Sequence, residues 1–524
     1  MYNIFSIREG YIINVYERSG IIYLKGFNEL LDWCQEDPKD PNIQYCPLNK
    51  LTREAFKREV LPYIVNHTCQ IKKPVYELIR TFKQNPVEEN IPELIEPPGI
   101  TFTETQNQGV SKLLAHKKFG LFFGTGTGKT LIAISVLLSR HINSAIVATK
   151  AKVVNQYKSE LDKYIPGNNY IVTSYEMLPH YINQTFECMI LDESHMVKNF
   201  RSQANENCRK ISSRCKYVYL FTGTPQDKRR HEILSQIAVL DPRIMQVKTR
   251  IYNRYFRLDD YYQPKSEIRQ FSKELTEIIN DYTWGKQSKD VFDEIPTKEY
   301  IVECNHPPKY YDKLFKDRII ENNDMYCVAD SPAKLRLFLR EICSGVIHWT
   351  PMNNLDSEGN IIPSKEQVFE STKFKPLCKI IHNIPQGIIY YEFTGSLKEI
   401  ERALLLEHRS YVIVNGHTTP SKTKKAVNAF KSNQVDYIIL QSRSGDAGLD
   451  FYNANVTIFY AIPESYIVFH QCKSRIARYN QTKECIYYYL LCKDTVEDKF
   501  IFNSLKKKQT ATDKLFKNYL IKEK

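Results

Sequence analysis

A glycine-rich segment near residue 125 has the residue types that bind phosphate. It follows the apolar run 121–123 and precedes a helical pattern at 131–138. Between a strand and a helix, glycines let backbone N–H groups surround phosphate oxygens, and the helix N-terminus adds partial positive charge. The sequence therefore predicts phosphate binding by the consecutive residues Gly124, Thr125, Gly126, Thr127, Gly128, Lys129 and Thr130.

Two side chains of this segment have distinct expected roles. Lys129 reaches the β- and γ-phosphates of a nucleotide, and the Thr130 hydroxyl ligates Mg²⁺. The strict pattern GxxxxGK[ST] requires glycine at position 123, where this chain has Phe123. The flanking strand and helix favour a phosphate loop over a chance glycine-rich turn.

An acidic pair, Asp192 and Glu193, follows the apolar run 188–191. Carboxylates at the C-terminal end of a parallel strand lie where such sheets bind ligands. We expect Asp192 to hold Mg²⁺ through water and Glu193 to act as general base toward the attacking water. Considered alone, such a pair more often caps a helix or lies in a solvated turn. Together with the phosphate loop, it favours nucleotide hydrolysis.

A third group, Thr222-Gly223-Thr224-Pro225, directly follows the apolar run 217–221. Small hydroxyl residues and glycine at a strand end can sense the γ-phosphate and relay its loss. A plain strand-ending turn is the alternative in isolation.

The second half of the chain contains candidate partner groups. The segment 442–450 (SRSGDAGLD) follows the apolar run 437–440, and 471–478 (QCKSRIAR) has a helical pattern. Arg475 and Arg478 are three residues apart, which predicts one shared helix face. Two arginines on one face can neutralise a transferring γ-phosphoryl group. A solvated or salt-bridged face is the alternative.

The elements that must position these residues form two series. Apolar runs alternate with helical stretches at 119–123, 144–149, 170–173, 188–191 and 217–222, and again at 388–393, 411–415, 437–440, 457–461 and 486–491. Nearly continuous apolar strands between helices indicate parallel sheets covered on both faces. The pattern predicts two α/β domains in tandem. The segment between them has a mainly helical pattern, clearest at 332–342, and residues 1–95 hold short strand-like runs followed by helix-like stretches near 50–85.

Composition limits the class of partner. The 73 Lys and Arg residues exceed the 60 Asp and Glu residues, giving a net charge of +13, which favours a polyanion such as nucleic acid. The 13 cysteines form no CxxC pair. We expect free thiols in a reducing, intracellular location, with neither a secretion signal nor a membrane span. The Tyr pairs at 261–262, 310–311 and 390–391 either stack on bases or pack half-buried.

The phosphate-loop segment, the acidic pair, the segment 222–225 and the two segments of the second half follow one another along the chain. In this order they resemble the motifs of superfamily-two helicase-type ATPases, specifically the Swi/Snf branch of DNA translocases. Residues 106–110 (QNQGV) resemble its YQxxGV segment, with Thr105 in place of Tyr. Residues 193–199 (ESHMVKN) resemble its DEAH-x-x-KN extension, with Ser194 for Ala, and 173–175 resemble its TSY step. Residues 339–343, 471–481 and 495–499 resemble its LRxIC, QAxxRxxRxGQ and TVEEK segments. The compact organisation resembles members encoded by large DNA viruses or phages.

Asp446 and Asp450 depart from this branch, which often has Gly and Asn at those positions. At both positions the residue type of this chain favours ordinary superfamily-two helicases. They leave the choice between a duplex translocase and a strand-separating helicase open.

The resemblance implies a fold class of α/β, with two tandem RecA-like parallel-sheet domains, a helical insertion between them and a small α+β N-terminal domain. ATP and Mg²⁺ are the implied cofactors. Implied catalytic residues are Lys129, Asp192, Glu193, Arg475 and Arg478. Gln106 would contact adenine, and nucleotide contacts beyond the phosphate loop also include Gly448 and Asp450. The implied coupling residues are His195, Thr222, Gly223, Thr224 and Gln471.

The implied activity is nucleic-acid-stimulated ATP hydrolysis that drives movement along, or remodelling of, double-stranded or branched DNA by a monomer. A DNA or RNA helicase and a non-catalytic nucleic-acid-binding regulator are the alternatives. The expected segments are an N-terminal accessory domain that binds DNA or a partner (1–95), an ATP-binding lobe (96–240), a helical linker (241–370), a second lobe (371–502) and a basic tail (503–524).

Overall fold

A computed structural model describes residues 13–18, 21–25, 34–47, 69–71, 85, 87–227, 229–242, 244, 248–291, 295–308, 310–352, 364–443, 450–477 and 481–510. These residues form two compact units. The first contains the described residues up to Phe122, together with Lys129–Gly285. The second contains Phe123–Gly128 and the described residues from Lys286 onward.

The N-terminal region forms a β-sheet in the spatial order β3-β4-β2-β1-β5. Its strands are β1 (Ile13–Arg18), β2 (Ile21–Lys25), β3 (Gln35–Asp37), β4 (Asp40–Pro47) and β5 (Cys69–Ile71). β1 pairs antiparallel with β2 and parallel with β5. The predicted strand-like runs are confirmed here, whereas most of the helix-like stretch predicted near 50–85 lies outside the described residues.

The first α/β domain alternates strands and helices, as the apolar runs predict. Its strands are β6 (Lys118–Phe123), β7 (Ala145–Thr149), β8 (Ile171–Ser174), β9 (Cys188–Asp192) and β10 (Tyr217–Phe221). Its helices are α1 (Glu104–Leu114), α2 (Lys129–Ser139), α3 (Val154–Tyr164), α4 (Gln203–Ser212) and α5 (His231–Leu240).

After α5 the chain forms helix α6 (Lys248–Tyr255), a hairpin of β11 (Phe256–Leu258) and β12 (Pro264–Glu267), helix α7 (Ser272–Tyr282), strand β13 (Thr283–Lys286) and the short helix α8 (Ser288–Val291). The sheet order is β13-β6-β10-β9-β7-β8, and the pairs from β6 to β8 are all parallel. The C-terminal ends of β6, β9 and β10 therefore meet at one edge of the sheet.

The second α/β domain also alternates strands and helices around a parallel sheet. Its strands are β14 (Thr297–Cys304), β19 (Gly387–Tyr391), β20 (Tyr411–Val414), β21 (Tyr437–Gln441), β22 (Val456–Phe459) and β23 (Cys485–Cys492). They form a fully parallel sheet in the order β14-β23-β22-β19-β21-β20. The predicted fold class, with two tandem RecA-like α/β domains, is confirmed.

The described helices of this unit include α9 (Tyr310–Asp317), α10 (Pro332–Cys343), α11 (Phe374–Asn383), α12 (Leu397–Leu406), α13 (Pro420–Lys431) and α14 (Tyr466–Lys473), and a π-helical turn follows at Glu497–Phe502. Residues 319–368 add the antiparallel strands β15 (Ile319–Asn322), β16 (Met325–Val328), β17 (Val346–Pro351) and β18 (Lys365–Val368). Among the helices of the described residues, none combines the length and apolarity needed to span a bilayer.

The segment between the two predicted domains contains strands as well as helices. β13 adds to the first sheet and β14 to the second. The sequence did not predict β14, because its residues (TKEYIVEC) include several charged side chains and are mostly exposed, which is typical of a strand at the edge of a sheet. Tertiary pairing with β23 along its whole length decides its conformation.

Candidate active site

The glycine-rich segment has the backbone of a phosphate loop. Gly126 and Gly128 adopt φ angles of 76° and 78°, a left-handed conformation that only glycine takes without strain. The Thr127 hydroxyl donates to the Gly124 carbonyl at 2.8 Å and closes the turn. Lys129 is the first residue of α2, so the loop ends at a helix N-terminus, as phosphate binding requires.

The departure at Phe123 has a structural explanation. Phe123 is the last residue of β6, and its side chain is fully buried in the core. The close approach instead occurs at Gly124, where a Cβ atom would lie 2.4 Å from Ser288 Oγ and 2.5 Å from Ser288 N. Gly124 N–H donates to the Lys286 carbonyl at 2.9 Å, and the Ser288 hydroxyl donates to the Thr125 carbonyl at 2.8 Å. Residues 286–288 thus support the start of the loop, a role the sequence did not reveal.

Asp192 is the last residue of β9 and is held from two sides. Thr149, the last residue of β7, donates its hydroxyl to Asp192 Oδ2 at 2.8 Å. Tyr175, of the predicted TSY step, donates its hydroxyl to the Asp192 carbonyl at 2.8 Å. Desolvation and the charge of Glu193 raise the pKa of Asp192 above its ordinary value.

Glu193 has an unusual backbone for its residue type, with φ 52° and ψ 51°. Non-glycine residues in this left-handed region are uncommon and concentrate at functional sites. Desolvation acts to raise the pKa of Glu193, but the hydrogen bond from His195 and the charges of Lys129 and Lys150 outweigh it, so the pKa lies well below its ordinary value. Glu193 is therefore a carboxylate at neutral pH, the form that accepts a proton.

Two expected residues, His195 and Thr222, contact Glu193, and a third, Thr224, bonds Thr222. His195 Nδ1 lies 3.2 Å from both Glu193 Oε2 and the Thr222 hydroxyl. The Thr222 hydroxyl donates to Glu193 Oε2 at 3.3 Å and accepts the Thr224 N–H at 3.2 Å. Desolvation lowers the pKa of His195, and the Glu193 hydrogen bond offsets only part of that change. The turn after β10 is thus bonded directly to the acidic pair, and Gly223 is buried within that turn.

A second connection between the same two segments was not predicted. The Ser194 hydroxyl donates to Gln236 Oε1 at 2.8 Å, and Gln236 Nε2 donates to the Pro225 carbonyl at 2.6 Å. Both side chains are fully buried. The family pattern has Ala at the position of Ser194. In this chain the Ser194 hydroxyl therefore adds a bond that connects the acidic segment to α5 and, through Gln236, to the turn. The only sequence signal was the polar Ser194 itself.

Removing that hydroxyl is expected to destabilise the first unit. Ser194→Ala leaves Gln236 Oε1 buried without its donor, which costs about 1–3 kcal/mol in free energy of unfolding. Urea denaturation monitored by circular dichroism measures it. Ser213→Ala, an exposed serine that donates to the Lys210 carbonyl, is the control and should change stability by less than about 0.5 kcal/mol. Equal stability of both variants would contradict a structural role for the Ser194 bond.

Gln106 lies at the start of α1 and takes part in a capping box. Its Oε1 accepts the Thr103 N–H at 2.8 Å, and its own N–H donates to the Thr103 hydroxyl at 3.2 Å. Its side-chain oxygen is therefore oriented by the helix cap.

The predicted residues of the second unit are less closely gathered. Gly448 and Arg478 lie outside the described residues. Asp450 is half-buried and Gln471 is buried in α14. The predicted helix over 471–478 is wrong for residues 474–477, because α14 ends at Lys473, whose carbonyl accepts the Tyr487 hydroxyl at 2.8 Å instead of a helical N–H. Arg475 lies in the following turn and is 3% exposed.

Two groups of side chains in the described residues offer oxygen or sulfur atoms that could bind a metal ion. The Thr130 hydroxyl and Asp192 carboxylate are the hard oxygen donors that Mg²⁺ prefers. Cys343, Cys492 and Glu497 also lie close together and buried. There, however, Lys373 Nζ donates to Glu497 at 2.7 Å and already supplies the positive charge.

The tandem parallel sheets, the phosphate loop and the acidic pair define a class, the P-loop nucleotide-binding proteins with two RecA-like lobes. Two family matches narrow it. Residues 138–346 match the SNF2-related domain, and residues 372–480 match the helicase conserved C-terminal domain. The chain therefore has the domains of a helicase-like ATP hydrolase, and the pair supports the Swi/Snf branch of superfamily two.

Individual relatives agree with these matches. The chain is 21% identical over 503 residues to the DNA repair and recombination protein RAD54 of Saccharomyces cerevisiae, covering 81% of this chain and 55% of the relative. It is 21% identical over 436 residues to an uncharacterized ATP-dependent helicase of Mycoplasma genitalium, covering 75% and 40%. It is 23% identical over 358 residues to a mouse SWI/SNF-related regulator of chromatin, subfamily A member 1, covering 65% and 33%.

The chain thus spans about half, or less, of the length of these curated relatives. Among solved structures, it is similar to the Sulfolobus solfataricus SWI2/SNF2 ATPase core in complex with dsDNA. That similarity has a TM-score of 0.37 and 18% identity, and covers 81% of this chain and 98% of the other.

Proposed function

We propose that the protein is an ATP-dependent DNA translocase, which couples ATP hydrolysis to movement along, or remodelling of, duplex DNA. The observation that carries this proposal is the bonding of Glu193 to His195 and Thr222. These hydrogen bonds connect the acidic pair directly to the turn after β10. A motor needs such a connection, whereas a simple nucleotide-binding protein does not. The SNF2-related and helicase C-terminal matches support the same function.

The residues fit ATP and Mg²⁺. The backbone of Gly126 and Gly128 has the conformation of a phosphate cradle, and the Lys129 ammonium neutralises the β- and γ-phosphates. Desolvation and then the charge of Glu193 raise the Asp192 pKa, and a cation held by the Asp192 carboxylate would offset both effects. Thr130 and Asp192 would hold Mg²⁺, which neutralises phosphate charge when bound.

Glu193 accepts the proton of the attacking water in this proposal. Its low pKa keeps it ionised, and its constrained backbone and two hydrogen bonds fix the direction of the carboxylate. A change at Glu193 then alters the hydrogen bonds of Thr222 and His195. Through them the state of the nucleotide reaches the turn after β10.

The second lobe completes the proposed mechanism. We propose that Arg478 stabilises charge on the transferring phosphoryl group, and that Arg475, for which the resemblance implies the same role, could join it only after leaving the buried position that it occupies in its lobe. We also propose that Gly448 and Asp450 contact the nucleotide and that Gln471 takes part in coupling. Hydrolysis would then depend on closure of the lobes. The proposed domain boundaries are 1–95, 96–240, 241–370, 371–502 and 503–524. We also propose that the protein is a compact Swi/Snf-like ATPase of viral or phage type, which acts inside the cell as a monomer on DNA.

Duplex or branched DNA is the proposed substrate. The net charge of +13 suits a polyanion, and the relatives include proteins named for DNA repair and chromatin regulation. A strand-separating helicase is the second candidate, favoured by Asp450, where ordinary superfamily-two helicases also have Asp.

The test is the ATP hydrolysis rate of the full chain with single-stranded DNA, duplex DNA, forked DNA and RNA in turn. Duplex or forked DNA is expected to stimulate most. The stimulation should fall steeply between ~50 and ~200 mM salt, because phosphate contacts release counterions. A triplex-forming strand should be displaced from duplex DNA in an ATP-dependent way. Stimulation by RNA alone, with unwinding of an RNA duplex, would instead favour the helicase.

A further inference from the structure

The hairpin of β11 and β12 exposes two adjacent aromatic rings at its tip. Tyr261 and Tyr262 are 82% and 75% exposed, the highest fractions among the exposed large hydrophobic side chains of the described residues. The other two tyrosine pairs behave differently, since Tyr311, Tyr390 and Tyr391 are buried. A ring that lies in water contributes almost nothing to the core, so the exposed pair calls for another explanation.

The backbone of this tip is fixed by its own hydrogen bonds. Asp259 Oδ1 accepts the N–H groups of Tyr261 and Gln263 at 3.0 and 2.9 Å. The Gln263 side-chain amide donates to the carbonyls of Tyr261 and Tyr262 at 3.1 and 3.2 Å. Tyr262 is held in the left-handed region, with φ 56°. The rings are therefore presented by an ordered turn, which lowers the entropy cost of binding.

The stem of the hairpin is tied to the segment before α5. The Arg230 guanidinium bonds both carboxylate oxygens of Glu267 at 3.0 Å and the hydroxyls of Ser272 and Thr276 at 2.6 Å. The neighbouring Arg229 donates to the Pro264 carbonyl. This segment lies a few residues after the turn, 222–225, that is bonded to Glu193. The hairpin is thus connected to the candidate active site by these side-chain hydrogen bonds and a short stretch of chain.

We propose that Tyr261 and Tyr262 form a base-stacking element that holds unpaired nucleobases, an assignment that rests on the proposed nucleic-acid motor. Aromatic rings bind bases through their faces without regard to sequence. Arg257 and Lys265 are exposed on the hairpin stem, where they suit phosphates on either side of a stacked base. The exposed Asp260 at the tip repels phosphate, so the tip itself contacts base faces and not the backbone.

The test compares two double variants of the full chain. Tyr261→Ala with Tyr262→Ala removes the rings, and Tyr261→Phe with Tyr262→Phe keeps them. The probe is a single-stranded DNA oligonucleotide of mixed sequence that contains 2-aminopurine, whose fluorescence falls on stacking. We expect the alanine variant to lose about tenfold or more in affinity for each ring and to lose the quenching, whereas the phenylalanine variant keeps both. Because both rings are exposed, unchanged melting temperatures confirm the fold of each variant.

Equal affinity and equal quenching in the alanine variant and the wild type would overturn the assignment. So would normal nucleic-acid binding combined with loss of self-association in sedimentation, which would indicate a protein interface. The proposed motor is judged separately, by nucleic-acid stimulation of wild-type hydrolysis. If that stimulation is present and the alanine variant binds normally, the motor stands and the stacking element fails. If stimulation is absent and quenching depends on the rings, the motor fails.

Discussion

Glu193→Gln is expected to slow ATP hydrolysis by ~10²-fold or more while ATP still binds. Glutamine keeps the shape of the side chain and an oxygen that accepts the Thr222 hydroxyl, but it cannot take a proton from water. The low pKa of Glu193 means that the wild-type enzyme carries this base in its active, ionised form across the physiological range. Single-turnover phosphate release and binding of a fluorescent nucleotide measure the two effects separately.

Two further variants make this result specific. Glu187→Gln changes a glutamate next to the opposite end of β9, where Glu187 Oε2 accepts the Asn143 N–H, and should leave hydrolysis close to that of the wild type. Lys129→Ala removes the ammonium that neutralises the phosphates and should abolish nucleotide binding and turnover together. Turnover near the wild-type rate in Glu193→Gln would show that another group acts as the base.

The sheet and the motif positions were predictable because their signals are local. The predicted runs 119–123 and 188–191 became β6 and β9 within one residue at either end, since a strand buried on both faces must be continuously apolar. The glycines of the loop are likewise dictated by their own φ angles. For these parts, the sequence around each residue contains the reason for its structure.

The hydrogen bonds that support the candidate site join residues that are distant from each other in the chain. Ser288 bonds Thr125 across 163 positions, and Gln236 bonds Ser194 across 42. No local pattern distinguishes such a serine or glutamine from a surface one. The end of α14 at Lys473 was equally hidden, because its last carbonyl accepts the Tyr487 hydroxyl from β23 at 2.8 Å. Tertiary contacts decide these features, so periodicity alone extended the helix too far.

The two candidate arginines of the second lobe should now behave differently. Arg475 is 3% exposed. Desolvation raises the pKa of the buried Tyr390 hydroxyl well above its ordinary value, and the charge of Arg475 offsets part of that rise. Its backbone carbonyl also accepts the Phe451 N–H at 2.9 Å. These contacts bind Arg475 into the interior of its lobe. Arg478 lies outside the described residues, and the family resemblance gives it the role of a finger arginine.

Arg478→Ala is therefore expected to cut turnover by ~10³-fold with ATP affinity and stability unchanged, as loss of a finger arginine does. Arg475→Ala should instead lower the free energy of unfolding by about 1–3 kcal/mol, because it removes a buried side chain from a packed interior. Steady-state ATPase assays, nucleotide titration and urea denaturation on both variants separate the two roles. If Arg475→Ala kept its stability and lost turnover while Arg478→Ala hydrolysed ATP normally, the assignments would be reversed. Arg475 would then have to leave the lobe interior to reach the phosphates, so closure of the lobes would involve repacking around Tyr390.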